Sequence, residues 1–254
     1  MQEFYDPSHD ITHFAFGDVS STNDEAFRLG EETGANKLFV TGKRQLAGRG
    51  RRGRPWVSEE GNLYASLFLR NPAPMEQCAQ LSFVAAISLH DAISSSIDDD
   101  RNMCALKWPN DVLFNKSKVC GLLLEARGGG DDTKIVIGMG TNCTHFPDDT
   151  PYPATSFANE NIELLPDELF KALKHHFLLN LKTWDQGNNF ELIRKRWLEK
   201  ATGLGDEIVV RLENDEIRGI FQDLDHEGNL VLGLSRGRSQ KFSAGDVFFP
   251  SMVL

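Results

Sequence analysis

An α+β fold, with a mixed, mostly antiparallel sheet covered by helices and a small β-barrel after it, is what three features of this 254-residue sequence predict. Between Cys104 and Asn142 the apolar residues come in short runs broken by turn residues, which reads as hairpin-connected strands of one sheet. On either side lie longer segments with the apolar spacing of helices. From about Thr202 the texture changes to four or five short β runs, so residues 1–201 are expected to form one domain and 202–254 a second.

The remaining elements follow in order. Thr22 and Glu25 read as a capping box for a helix that continues through Ala26, Phe27 and Leu29 and stops at Gly34. Leu38–Thr41 is a short strand. Residues 43–56, KRQLAGRGRRGRPW, carry six basic residues and almost nothing apolar before Trp56, so they are expected to form a loop. Leu63–Leu69 alternates as a strand, and Gln77–Ile97 has the long apolar run of a buried helix. Strands are expected at Ala105–Trp108, Val112–Phe114, Val119–Ala126 and Ile135–Met139. After a loop containing Pro147, Pro151 and Pro153, Phe170, Leu173, Phe177, Leu181 and Trp184 mark an amphipathic helix, and a second spans about Phe190–Lys200. The last segment offers Ile208–Leu212, Ile217–Leu224, Leu230–Leu234 and Lys241–Phe249, separated by Glu-Asn-Asp, His-Glu-Gly-Asn and Arg-Gly-Arg.

Composition narrows the function. With 40% hydrophobic and 25% charged residues, disorder, collagen and coiled coil are excluded. Lys+Arg 27 against Asp+Glu 37 gives a net charge of -10, which repels nucleic acid and anionic membranes except where cations cluster. The N-terminal MQEFYDPSHD lacks the basic-then-apolar character of a secretory signal, and no run of ~18 apolar residues occurs. Cys78, Cys104, Cys120 and Cys143 are far apart, without CxxC or Cys/His spacing, so neither a disulfide framework nor a metal site is legible. A soluble, cytoplasmic protein with free thiols is expected. His90, His175 and His176 sit on helical segments, where packing or solvent accounts for them.

One stretch concentrates positive charge. Gly48-Arg49-Gly50-Arg51-Arg52-Gly53-Arg54 alternates conformationally free residues with guanidinium groups, so its backbone can close around an anion while cations point inward. Arginine suits phosphate because its planar fork grips two oxygens and stays charged. Two other readings compete: a solvated surface loop, and a minor-groove DNA hook built on Arg52-Gly53-Arg54-Pro55. Hooks usually lie in disordered basic tails, whereas this segment lies between two strands of an acidic chain. A second constellation, Lys107-Trp108-Pro109-Asn110-Asp111, puts a cation, a carboxamide and a carboxylate on one turn, with Lys118 and Gly121 following across a hairpin. Alone, Pro-Asn-Asp is a turn signal.

Together these segments resemble the biotin protein ligases. Four match in order: Ser21-Thr22-Asn23, Gln45 through Trp56, Lys107 through Asp111, and Lys118-Val-Cys-Gly121 leading to the strand that ends Gly138-Met-Gly-Thr-Asn142. Ser243-Ala-Gly-Asp-Val247 resembles the last strands of the family's C-terminal SH3-like barrel. The resemblance implies a catalytic domain like that of class II aminoacyl-tRNA synthetases. It also implies a two-step reaction, in which biotin and ATP, with Mg²⁺, give biotinyl-5'-AMP and biotin then passes to a lysine of a biotin carboxyl carrier protein. It implies roles for Arg51 and Lys118 at the biotin carboxylate and for Lys107 at phosphate. Asp111 is left between a Mg²⁺ or ribose contact and orientation of the acceptor amine. Ser21, Thr22, Asn23, Gln45, Gly48, Arg49, Gly121 and Gly138 would surround biotin. Arg52, Arg54, Trp56, Asn110 and Asn142 would surround the nucleotide, with Trp56 stacked on adenine. Only about twenty residues precede Ser21, so the winged-helix domain of some members is not expected. A lipoate ligase would share the fold and adenylate logic but, as a family, lacks the arginine-glycine run. Whether the chain dimerises through its sheet edge is left open.

Overall fold

The computed structural model describes residues 1–97, 103–150, 152–212 and 215–249. Pro151 of the proline-rich loop and Glu213-Asn214 of the expected Glu-Asn-Asp turn lie outside the described residues. Eight strands make the main sheet: β1 (Gln2–Asp6), β2 (Ile11–Val19), β3 (Lys37–Gln45), β4 (Leu63–Arg70), β5 (Cys104–Lys107), β6 (Asp111–Phe114), β7 (Ser117–Arg127) and β8 (Lys134–Thr141). Their order is β1-β2-β3-β4-β8-β7-β6-β5; β2 and β3 pair in parallel, every other neighbour antiparallel. The mixed, mostly antiparallel sheet read from the sequence is therefore present. The helix between β2 and β3, α1 (Thr22–Thr33), covers one face through Ala26, Phe27 and Leu29 against Leu38, Val40, Phe68 and Val136.

The other face is covered by α3 (Leu81–Ser96), which a short helix α2 (Met75–Cys78) precedes, and by α4 (Pro166–Trp184), while α5 (Phe190–Glu199) packs on α3 and α4. Asp91 is the one Asp, Glu, Lys or Arg in the apolar α3; Arg196 of α5 meets its carboxylate at 2.6 Å. Five further strands, β9 (Glu207–Arg211), β10 (Glu216–Leu224), β11 (Leu230–Gly233), β12 (Ser239–Phe242) and β13 (Asp246–Phe248), form an antiparallel, SH3-like sheet ordered β12-β11-β10-β9-β13. Its Ile208, Val210, Phe221 and Leu232 join the same buried core as α3 and β4, and Trp108 donates its indole N–H to Gly228 O at 3.2 Å. Its β10 packs against α5, and Gly228 lies against Phe83 and Phe190, so the small sheet gains apolar contact that some fifty residues could not provide alone.

Several local expectations need correction. The N-cap of α1 is Ser21, with no side-chain cap bond; the capping box is absent because the Gln45 carboxamide takes the Thr22 N–H and Glu25 turns to Arg28. The strand at Leu38–Thr41 runs on to Gln45, held by parallel pairing to β2. Leu63–Leu69 shows no half-exposed alternation, because helices cover both faces and all seven residues are buried. The expected helix Gln77–Ile97 is broken between Cys78 and Leu81. Lys241–Phe249 is not one run: Gly245 falls between β12 and β13, which lie at opposite edges of their sheet. The hairpin β1–β2 went unread, since its polar Gln2–Asp6 strand is an exposed edge without an apolar pattern.

Candidate active site

A cavity of about 310 Å³ opens where α1, the arginine-glycine loop, the β5–β6 turn and the start of β13 converge. Its closed end is built on the first turn of α1. Thr22 donates both its N–H and its hydroxyl to Gln45 Oε1, at 2.9 and 3.0 Å, and Gln45 donates from Nε2 to Ser58 Oγ. Asn23 accepts from Ser66 Oγ at 2.6 Å and donates to Glu125 Oε2 at 2.7 Å. Its carboxamide rests on Gly138 of β8; a Cβ there would lie 2.4 Å from Asn23 Oδ1. Tyr64, Met139 and Leu123 complete a mostly apolar wall with polar groups at one end, as a bicyclic ligand with one hydrogen-bonding head requires.

The basic loop folds on itself. Trp56 N–H bonds Gly48 O, Gly50 N–H bonds Arg54 O, and Arg52 and Gly53 take left-handed conformations at φ 56 and 70, which turn the chain at its tip. The four arginines are not equivalent. Arg49 is bound by Asp24 at 2.8 Å and by Glu125 at 3.0 Å, and hydrogen bonding to Asp24 raises its pKa. Arg54 meets Asp246 at 2.6 Å, and Arg52 approaches the same carboxylate at 3.6 Å. Among the described residues Arg51 alone of the four has no carboxylate partner; it donates to Asn110 Oδ1 and Gly245 O, and burial lowers its pKa.

Opposite the loop, the β5–β6 turn presents Lys107, Asn110 and Asp111. Asn110 Nδ2 is fixed by Leu122 O at 2.5 Å. Lys118, on β7, lies 2.6 Å from Asp111 Oδ1, and both are nearly enclosed. Burial opposes the Lys118 charge, but Asp111 and Tyr152 hold its pKa above the usual lysine value. Among the described residues Lys107 has no such neighbour at bonding distance; its ammonium faces the rings of Tyr152, Phe248 and Phe249 at 5.1–6.0 Å, and burial lowers its pKa. Trp56 packs over Gly121 and Gly140, where Cβ atoms would meet its ring at 2.9 and 2.6 Å. Its indole N–H is buried without a partner among the described residues.

Ser21, Thr22, Asn23, Gln45, Arg49, Arg51, Arg54, Trp56, Lys107, Asn110, Asp111, Lys118, Gly121 and Gly138 all line this one cavity. Gly48, Arg52 and Asn142 do not. Gly48 lies behind the wall, against Ser58 and the Trp56 carbonyl, and Asn142 donates to Thr155 O. Tyr152 and Asp246 also line the cavity and were not read from the sequence; one sits in the proline-rich loop, the other in the second sheet. Glu125 and Asp24, which hold Arg49, were likewise unread. The only available signal for Asp246 is its place inside Ser243–Val247. Among the described residues no group of three or more His, Cys, Asp or Glu is arranged to hold a metal, and Asp111 and Asp246 already face cations. A protein-held Mg²⁺ does not fit this arrangement.

Known proteins resemble the chain in sequence and in fold. A model of the Biotin/lipoate A/B protein ligase family matches residues 16–142, and one of the biotin protein ligase C terminal domain matches 203–249. A biotin–acetyl-CoA-carboxylase ligase of Paracoccus denitrificans is 37% identical over 237 residues, covering 91% of this chain and 98% of its own length. A bifunctional ligase/repressor of Bacillus subtilis is 30% identical over 91% of this chain and 73% of its own. The structure of the Aquifex aeolicus biotin protein ligase in complex with biotin and ATP superposes with a TM-score of 0.76 at 28% identity, covering 94% of this chain and 97% of that one. On this sequence, fold and site, the chain belongs to the biotin protein ligase family.

Proposed function

We propose that this chain activates biotin with ATP to biotinyl-5'-AMP and then transfers biotin to a lysine of a biotin carboxyl carrier protein of a biotin-dependent carboxylase. The observation that carries the reading is one cavity with an apolar, hydrogen-bonding closed end and three converging cations, Arg51, Lys107 and Lys118. In the first step the biotin carboxylate attacks the α-phosphate of ATP and pyrophosphate leaves. The nucleophile is already ionised, so no general base is needed. The barrier to lower is repulsion between anions, about 4 kcal/mol for unit charges ~4 Å apart at an effective dielectric of 20.

Ser21, Thr22, Asn23 and Gln45 would hold the ureido head, with Gly121 and Gly138 admitting the ring system. Arg51 and Lys118 would grip the carboxylate and later the adenylate, while Lys107 and Arg54 answer phosphate charge. Trp56 would stack on adenine, and its unpartnered N–H is free for an acceptor. Asn110 fixes Arg51, Asn142 and Gly48 support the wall from behind, and Arg49 anchors the loop. Mg²⁺ is proposed only as the counter-ion that the nucleotide brings. In the second step a neutral lysine amine attacks the acyl carbonyl and AMP departs; Asp111 faces the space that amine would enter. The division into a catalytic unit, 1–201, and a β-barrel unit, 202–254, belongs to the same proposal. Four buried free cysteines suit a reducing cytoplasm. No described helix is long and apolar enough to cross a membrane. The hook reading is disfavoured because Arg52-Gly53-Arg54-Pro55 is not a free tail: the loop folds back on itself through Gly50 N–H to Arg54 O, and Arg54 is paired with Asp246.

The test is incubation with ATP, Mg²⁺ and either biotin or lipoate. Acid-labile adenylate and pyrophosphate from biotin, followed by labelling of a carrier domain, are expected. Neither product from biotin would defeat the reading, and DNA retention at moderate salt without adenylate would favour the hook.

A further inference from the structure

Asp246 belongs to the second sheet, yet its carboxylate stands in the cavity wall among the loop arginines. It meets Arg54 at 2.6 Å and Arg52 at 3.6 Å, and the carbonyl of its neighbour Gly245 accepts from Arg51 at 3.3 Å. One anion therefore engages the cations that a polyphosphate would seek. Its backbone is fixed by pairing with Arg211 of β9, whereas Arg52 and Arg54 are long side chains with 44% and 47% of their surface exposed. Exchange of partners thus needs only a swing of two guanidiniums, and pairs this exposed are weak enough to be displaced.

Resting on the adenylation reading above, we propose that Asp246 is a built-in stand-in for nucleotide phosphate. It holds Arg52 and Arg54 at the mouth before ATP arrives, competes with the triphosphate for them, and reclaims them as pyrophosphate leaves. Asp246 acts through the arginines, so it is a positioning residue that sets ATP affinity and product release, not biotin binding.

The experiment compares KM for ATP, KM for biotin and inhibition by inorganic pyrophosphate in wild type, D246N, D246E, R54Q and D246N/R54Q. D246N should lower the ATP KM about five-fold and tighten pyrophosphate inhibition similarly, with biotin KM unchanged. D246E should behave as wild type, and the D246N effect should shrink once Arg54 is glutamine. D246S, which leaves Arg54 a hydroxyl acceptor, carries the same criterion should D246N fold poorly. An ATP KM unchanged or raised in a neutral variant with wild-type thermal stability overturns the proposal. Absence of adenylate from the wild type would instead defeat the activity reading; adenylate with an ATP KM indifferent to residue 246 defeats only this inference.

Discussion

Lys118 and Asp111, on neighbouring strands β7 and β6, form an enclosed ion pair with Nζ 2.6 Å from Oδ1. A bulge in the ladder between Val112 and Leu113 lies between their positions. The pair holds Lys118 in the cavity wall, where Tyr152 is its other polar neighbour, at 3.5 Å.

Removing one member strands the other. Lys118→Met should cost about 3–5 kcal/mol of stability, because the Asp111 carboxylate stays buried without its cation. Lys118→Met combined with Asp111→Asn should restore most of that stability while adenylate formation stays lost. Urea midpoints and pyrophosphate release measure the two effects separately. A single K118M variant as stable as wild type would show that the pair contributes no buried charge compensation.

Glycines in β7 and β8 are there for what lies on them. In Gly140→Ala the new methyl would meet Trp56 Nε1 at 2.6 Å, and the indole cannot retreat because Gly121 supports its far edge. ATP affinity should fall about ten-fold with little change for biotin. Gly138→Ala pushes instead on Asn23, whose carboxamide is held by Ser66 and Glu125, and should weaken biotin about as much while sparing ATP. Separate titrations of each substrate read the contrast; equal losses in both variants would contradict it.

His13 links the exposed hairpin to the core. It lies between Phe4 and Phe170 with Nε2 2.8 Å from Thr41 Oγ1, and burial pushes its imidazole down to about 4, with Lys174 adding to the effect. The unfolded chain binds a proton here near pH 6.5 and the folded chain does not, so stability is present above that pH. It is lost as pH falls from about 6.5 toward 4, by up to about 1.4 kcal/mol per pH unit. His176 acts in the same direction, again through burial. His13→Gln should therefore flatten part of the decline, read as the difference between urea midpoints at pH 7 and pH 5 in the two proteins.

Legibility in the sequence followed how local the cause was. The β5–β8 strands were plain because hairpin turns bound them closely, and Lys107, Asn110, Asp111 and Lys118 come together within that meander. Strand β4 was placed well although its exposure was not, since alternation cannot reveal helices arriving from distant segments on both faces. Strand β1 is held by Asp6 to Lys174 of α4 and by Phe4 against His13 rather than by an apolar face of its own. Asp246 and Tyr152 reach the cavity from elements about a hundred residues or more beyond the basic loop, and no spacing rule connects them to it. The loop's arginines were read as one cluster because sequence shows charge but not its partners; Asp24, Glu125 and Asp246 divide them into an anchor, a latch and Arg51, which faces no carboxylate among the described residues.

That division makes the loop's motion testable. Arg49 ties the loop's base to α1 and β7, Arg54 ties its far side to β13, and Arg52 stands at the left-handed tip with only a 3.6 Å approach to Asp246. The bonds after Arg51 and Arg52 are therefore the expected trypsin sites, while the Arg54-Pro55 bond resists. Sealing a hydrolysable acyl-phosphate from water requires this tip to order over it, so biotin plus ATP should slow cleavage there about ten-fold, and biotin alone less. Arg49→Ala removes the anchor and should speed cleavage in the free protein, and the adenylate should then protect only partly. Mass spectrometry of the first fragments locates the cuts. Cleavage at Arg51 and Arg52 that proceeds at the same rate with and without both substrates would mean that the loop does not close over the intermediate.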